Sequence, residues 1–418
     1  MVSGRVLVID NGGHTCKMGF AGDDKPSRIV PNLIAKSKAE RKTFIGPQFD
    51  TCNDFSGLQF KLSMEKGYPT NWETLTDVWT KAFAAQVLDV NPADSQLMLT
   101  IPPLMPDAIA TTLDEMIFEH FNFESCCMMT AATCAHYGDK ATFESGDQQA
   151  PSATLVVDAG FSYTHVVPVF DNQQINFGVR RIDVGGKLLT NHLKQVISHR
   201  QWNVMEETHM INQVKEALCY VTEDIDADLR LATRKRGAQG SLLREYVMPD
   251  YINVLKGFAR DPGVDADGGE DGEPSKGKRD ARPANDEQVL SLGVERFAVP
   301  ELLFNPSDIG MEQAGIAEAI VQSVKATIPD VHDALYSNVL LTGGSTLFPN
   351  FQSRLEAELR PLVPIDCALN VRMANDPIAA AWQGASKFAA GPLFKRSAVT
   401  RDEYMEHGSA YVRRACHN

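Results

Sequence analysis

Short apolar runs that end on an acid or a glycine pair punctuate this chain, and the first lies near its start. Residues 6–10, Val-Leu-Val-Ile-Asp, pass through Asn11 into Gly12-Gly13, and a second run then alternates through Lys17 to Phe20. That pattern predicts a buried strand, a tight turn and a returning strand. It recurs at residues 155–169, where Leu-Val-Val-Asp158 is followed by Ala-Gly160 and then by Thr-His-Val-Val-Pro-Val. A third buried strand is predicted within residues 337–346. It ends on Gly343-Gly344 and leads to a helix over about 349–359.

The intervening stretches read as follows. Residues 36–60 are polar, with scattered Gly, Pro and Asp, and predict a small mobile excursion. Residues 67–79 form a loop running into a helix capped near Asn71, with Glu73 in its first turn. Residues 97–101 are a short buried strand stopped by Pro102-Pro103, and 107–121 carry helical apolar spacing. Residues 125–137, small, apolar and Cys-rich, predict a buried helix, and the polar stretch 139–151 predicts a link between two halves. Past the second hairpin, helices are predicted at 188–200, 205–219, 297–304 and 317–326.

Composition narrows this picture. The 418 residues allow two or more domains. A net charge of −14 argues against a nucleic-acid grip, which normally presents a basic face, and leaves basic proteins such as histones open as partners. Residues from about 261 to 287 are nearly free of apolar side chains, so they cannot offset their ordering entropy and predict a disordered insertion. A variable loop and an acidic histone-binding tail both fit it. Arg230, Arg234, Lys235 and Arg236 read as a solvated loop or as a localisation signal. The eight cysteines, Cys16, Cys52, Cys126, Cys127, Cys134, Cys219, Cys367 and Cys416, show no metal-ligand spacing and predict buried thiols in a reducing compartment. Neither a secretory leader nor a membrane span is expected.

The chemistry sits in the paired hairpins. An acid at the end of a buried strand, followed at once by a glycine turn, suits a metal–phosphate ligand. Asp10 and Asp158 would hold Mg²⁺ directly or through water, while backbone N–H groups at Gly12, Gly13 and Gly160 cradle phosphate oxygens. One such unit is also an ordinary hairpin turn. Two facing units would clamp one polyphosphate, and the Gly343-Gly344 turn offers a further close backbone approach.

Five separated motifs then resemble actin, in actin's order. They are Asp10-Asn-Gly with Lys17-Met-Gly-Phe-Ala-Gly-Asp-Asp24, Gly67-Tyr-Pro-Thr-Asn-Trp72, Lys215-Glu-Ala-Leu-Cys-Tyr-Val221, Glu295-Arg-Phe-Ala-Val-Pro-Glu301 and Thr342-Gly-Gly-Ser-Thr-Leu-Phe-Pro349. The tail from Val399 to Gly408 is similar to actin's C-terminal segment. Residues 184–193, 205–209 and 304–310 resemble a nuclear branch of the actin-related proteins.

The resemblance implies an α/β fold of duplicated ribonuclease-H-like domains flanking a nucleotide cleft. It implies a small lobe over 1–148 with a small mobile subdomain at about 33–65, a large lobe over 149–370, and a segment 371–418 returning to the small lobe. It implies ATP or ADP with Mg²⁺ in the cleft. It also implies membership of a chromatin-remodelling complex, in the nucleus or also the cytoplasm, that exchanges a variant histone into nucleosomes. The partners implied are the other subunits, including the complex's ATPase motor, and histones. By position, Asp10, Gly12, Lys17, Asp158 and Gly160 match actin's phosphate hairpins, Lys215 and Glu216 its base and ribose contacts, and Gly343, Gly344 and Phe348 its adenosine pocket.

The departures matter as much. Gly13 replaces a serine, His14 stands where actin has glycine, and Phe161-Ser162 replace Asp-Gly. Side chains at positions of close backbone approach are expected to crowd the terminal phosphate. Thr130 stands at the position of the water-holding glutamine and is too short to present the same donor and acceptor. His165 is retained, either as a water-positioning group or as a satisfied core histidine. Three readings follow: a non-catalytic subunit with a structural nucleotide; an active ATPase or related phosphotransferase; and a filament former. Slow or absent hydrolysis and no self-filament are expected.

Overall fold

The computed structural model describes residues 5–38, 40–145, 151–233, 242–251, 254–262 and 287–416. Most of the predicted insertion, together with Arg234, Lys235 and Arg236, lies outside the described residues.

The first hairpin is β1 (Val6–Asn11) with β2 (Thr15–Phe20), continued by β3 (Arg28–Pro31). β4 (Leu33–Ser37), β5 (Lys42–Ile45) and β6 (Gln59–Leu62) make a separate antiparallel sheet, and β7 (Met64–Glu65) pairs with β8 (Tyr68–Pro69). β9 (Gln96–Ile101) lies parallel to β1, and β10 (Ser125–Thr130) parallel to β9. Alternate residues of β1 enter different layers. Leu7 and Ile9 join a core with Leu75 and Trp79 of the helix Trp72–Phe83, whereas Val8 packs with Trp382 and Phe388 of the helix Ala380–Ala390. Both faces are covered, which is why the run is continuously apolar.

The second half repeats this topology. β11 (Ala153–Ala159) and β12 (Thr164–Phe170) form its hairpin, extended by β13 (Gln173–Gln174) and β14 (Arg180–Ile182). After a further antiparallel sheet of β15 (Arg244–Val247), β16 (Phe258–Arg260) and β17 (Val289–Leu292), β18 (Val339–Thr342) joins β11 in parallel and β19 (Val371–Met373) joins β18. The order β10-β9-β1-β2-β3 is thus matched by β19-β18-β11-β12-β14, with the same strand directions. β20 (Val399–Thr400) returns to pair with β10.

The helices Ala131–Ser145 and Ala380–Ala390 pack against each other, and the first lies between the two sheets. A Cβ on Gly384 would meet the Cys134 carbonyl oxygen at 1.7 Å, so only glycine permits this approach. Cys134 belongs to the first sheet's core and Ala132 to the second's, so one helix serves both halves.

Two expectations are corrected. Residues 125–130 are the strand β10, held between β9 and β20, and the helix begins only at Ala131. An apolar run buried on both faces carries no period that separates strand from helix. Residues 139–145 continue that helix, and residues 146–150 of the expected link lie outside the described residues. The stretch 36–60 carries β5 and parts of β4 and β6, and their sheet has its own core of Leu33, Ala35, Phe44, Phe49, Cys52 and Leu58.

Candidate nucleotide cleft

The two hairpin tips point into one cleft between the halves, a cavity of about 430 Å³. Asp10, Gly12, Gly13, Lys17, Asp158, Gly160, Lys215, Glu216, Gly343, Gly344 and Phe348 all line it. Residues far apart in sequence are therefore brought together around a common space.

In the first hairpin, Asp10 sits opposite Lys17 across the β1–β2 ladder, and the Lys17 ammonium donates to Asp10 Oδ2 at 2.8 Å. Thr100 Oγ1 donates to Asp10 Oδ1 at 2.6 Å, because the parallel pairing of β1 with β9 sets Thr100 beside Asp10. Burial alone would lower the Lys17 pKa, but the charge and hydrogen bond of Asp10 outweigh it and hold the ammonium above its ordinary range. Asn32, fully buried, donates from Nδ2 to the Gly12 carbonyl at 2.9 Å and from its backbone N–H to the His14 carbonyl at 2.9 Å. The tip is thereby fixed from behind.

Asp158 differs. Among the described residues no donor lies within hydrogen-bond distance of its carboxylate. Burial first, and then the charge of Asp10, push its pKa up to about 6, with Lys17 opposing. A carboxylate held in a cleft without a donor fits a cation or a cation's water. No group of three or more His, Cys, Asp or Glu side chains suited to a metal occurs among the described residues. A Mg²⁺ here would therefore need phosphate oxygens to complete its shell.

The turn after β18 brings backbone close to this acid. Gly343 has φ +90°, and a Cβ there would lie 2.4 Å from the Ala159 carbonyl oxygen and 2.8 Å from Asp158 Oδ1. Toward the other end of the cleft, buried Lys215 donates to the Gly186 carbonyl at 3.2 Å, Thr190 Oγ1 at 3.0 Å and Asn212 Oδ1 at 2.9 Å. Burial lowers its pKa. Exposed Glu216 accepts from Asn212 Nδ2 at 2.7 Å.

Two predicted positions stand apart. Thr130 does not line the cleft; its hydroxyl is 2.8 Å from that of Thr133, at the start of the helix Ala131–Ser145. His165 pairs with Asp158 across the β11–β12 ladder but also fails to line the cleft. The ring of Tyr163, which does line it, lies 4.0 Å from the imidazole. His165 is buried, its Nδ1 has no partner, and burial, with the nearby Arg181 charge, lowers its pKa to about 3.

Sequence reasoning missed Thr100, Asn32 and Tyr163. A threonine near the end of a short buried strand was the available signal for the first. The other two gain their roles only from packing.

The cleft between duplicated α/β halves defines a class, and the comparison with protein families agrees: the actin family model matches residues 3–417, and the chain belongs to that family. Within it, several similar relatives carry the name Actin-related protein 6. The one from Oryza sativa subsp. indica is 40% identical over 426 residues, covering 98% of each chain. That from Drosophila melanogaster is 38% identical over 407 residues, covering 96% of this chain and 97% of its own. That from Dictyostelium discoideum is 35% identical over 460 residues, covering 97% and 93%.

Proposed function

We propose that this actin-related chain is a non-catalytic subunit of a nuclear chromatin-remodelling complex that exchanges variant histone into nucleosomes. ATP or ADP with Mg²⁺ serves it as a structural ligand. The observation that carries the non-catalytic part is the exclusion of Thr130 and His165 from the cleft, with Tyr163 lying over the imidazole. A hydrolytic water in the cleft would lack both groups that the actin resemblance assigns to holding it, and losing positioned groups of this kind costs about 10²–10⁴ in rate. The complex membership is supported by the resemblance of residues 184–193, 205–209 and 304–310 to the nuclear branch.

Asp158, with Asp10 behind it, would hold the cation, and Lys215 with Glu216 the nucleoside. Nucleotide bound only by the folded state at a hundredfold excess over Kd adds about 2.7 kcal/mol, so it would act as a clamp on the two halves.

The test is to tag the endogenous protein and identify what co-purifies. A remodelling motor and its companions are expected; companions limited to cytoskeletal proteins would overturn the assignment. For the purified chain, ATP turnover is expected to match that of an Asp158→Asn control. Turnover abolished by that substitution would favour the ATPase reading, and Mg-ATP-dependent sedimenting polymer the filament reading.

A further inference from the structure

Two sets of contacts bind the small sheet and the hairpin after it to the second half. The first comes from the loop between β5 and β6. Phe55 stacks on His209 at 4.6 Å, Phe49 and Tyr251 flank the pair, and the Gly57 N–H donates to Glu207 Oε1 at 3.1 Å. The second comes from the β7–β8 hairpin. Arg181 Nη2 donates to the Lys66 carbonyl at 2.9 Å, and its guanidinium lies over the Tyr68 ring of the first half at 5.3 Å and the Tyr163 ring of its own half at 5.1 Å. Lys187 Nζ reaches Glu65 Oε2 at 3.8 Å. Gly67 lies against Tyr163, where a Cβ would be 1.8 Å from the ring carbon Cε1, and both residues line the cleft. We propose that these two seams latch the halves at one separation through the chain's own contacts, so that closure needs no ligand. The latch acts whatever the cleft takes and is independent of the nucleotide reading given above.

Halves joined by a small interface move against each other by default. Three features oppose that motion here. Both seams hang on one small body: β6 ends at Leu62, Ser63 is tied through its N–H and its hydroxyl to the Asn32 carbonyl, and β7 starts at Met64. Once either seam forms, the other is held beside its partner at high effective concentration, so each reinforces the other. The stacked rings and the guanidinium over Tyr68 resist opening. Closing further is resisted as well, because Gly67 is already in contact with the Tyr163 ring. Attraction on one side and repulsion on the other define a single separation. A ligand moves such an equilibrium only by its preference for one state, and a latch already closed leaves it little to move.

The experiment is single-molecule energy transfer on the purified full chain, stripped of ligand by chelator and dialysis. Fluorophores on unnatural side chains replace Thr43 of the small sheet and Asp226 of the second half, both exposed. The wild type should show one distance, with an open fraction below about 10%, and keep it when Mg-ADP is added. Phe55→Ala/Arg181→Gln, which removes a contact from each seam, should raise the open fraction above about half. Each single substitution should fall between. A second pair of fluorophores within the second half, at Asp226 and Glu318, reports whether a variant is folded; where the double variant fails that check, the single ones carry the comparison. A stripped wild type that is mostly open, whether or not Mg-ADP then closes it, overturns the latch. A separation unmoved by every folded variant overturns it too. Failure of Mg-ADP to bind in a parallel calorimetric titration removes the nucleotide reading and leaves the latch standing.

Discussion

Phe55 and His209 stack across the two halves, their centroids 4.6 Å apart and their planes inclined by only 16°. Phe55 lies between β5 and β6 in the first half, and His209 opens the helix Thr208–Leu218 in the second. Phe49 and Tyr251 flank the pair at 5.7 Å from His209 and 6.0 Å from Phe55, and the Gly57 N–H donates to Glu207 Oε1 at 3.1 Å. The contact is a clasp between the halves.

Removing the clasp should loosen the small sheet. An aromatic pair contributes about 1 kcal/mol beyond its buried area, so Phe55→Ala should speed hydrogen exchange in β4 and β6 about fivefold, with β11 unchanged. The clasp should also respond to acid. Burial holds the His209 pKa below its ordinary 6.5, so the stack favours neutral imidazole. Its contribution is full above about pH 6.5 and falls as pH drops below it. Exchange corrected for intrinsic rates should quicken between pH 7 and 5.5 in the wild type and stay flat in Phe55→Ala; equal slopes would assign the effect elsewhere.

Asp114 should make the protein less stable as pH rises. It is buried on the helix Asp107–Glu115, facing Ser409 and Arg413 of the helix Ser409–Cys416, and both its oxygens lie outside hydrogen-bond geometry. Burial raises its pKa to about 7, with Ser409 and Arg413 only partly offsetting. The folded state therefore holds this proton more tightly than the unfolded chain. Its contribution is fully present below about pH 4 and is lost as pH rises through 7. Asp114→Asn should be about 2–4 kcal/mol more stable than the wild type at pH 8 and much closer to it at pH 5, read by urea denaturation. A gap that fails to widen with pH would remove the carboxylate as its source.

These elements differ in how far the chain announced them. The hairpins at Asp10 and Asp158 were legible because strands covered on both faces read as unbroken apolar runs, and a glycine turn marks where each stops. The run Cys126-Cys-Met-Met-Thr130 was not, since it flows into the helix Ala131–Ser145 without a polar break. The core of the small sheet draws on Leu33, Phe44, Phe49 and Leu58, too widely spaced to show a period. In the cleft, glycines and acids signalled themselves by type. Thr100 and Tyr163 did not, because the β1–β9 pairing and the packing at His165 create their roles. His14 and Phe161 each read as a local departure, and only the folded chain sets one ring against the other.

The buried pair Glu301–Arg354 should be costly to break. The guanidinium donates twice to the carboxylate, at 2.8 and 3.2 Å, and once to the Thr222 carbonyl at 2.6 Å, with the Phe304 ring 5.0 Å away. Arg354 Nε also donates to Glu358 Oε1 at 2.5 Å, so Glu301→Ala leaves the guanidinium one carboxylate partner and costs about 3 kcal/mol, the low end for a buried charge stripped of its pair. Glu301→Ala should lose that amount in denaturant titration, and Glu301→Ala/Arg354→Met should recover part of it. A double variant no better than the single would show that the penalty is packing rather than charge.

Neighbouring glycines at the cleft give the sharpest contrast. Gly343 has φ +90°, and its missing Cβ would collide with the Ala159 backbone, which cannot move without disturbing β11 and Asp158. Positive φ costs a side chain about 1–2 kcal/mol, and the clash adds to it. Gly343→Ala should therefore lose about 3 kcal/mol of stability and nucleotide binding together. Gly344 lies next along the chain in the helical turn Gly344–Leu347, where a Cβ would meet nothing within 4 Å and φ is not positive. Its substitution by alanine should change stability by less than about 0.5 kcal/mol, because the methyl group enters open space. That space is the cleft, so Gly344→Ala should weaken Mg-ADP binding while the unfolding midpoint stays put. Calorimetric titration beside a denaturant curve separates the outcomes. A Gly344→Ala protein that binds as the wild type does would place the nucleotide away from this turn.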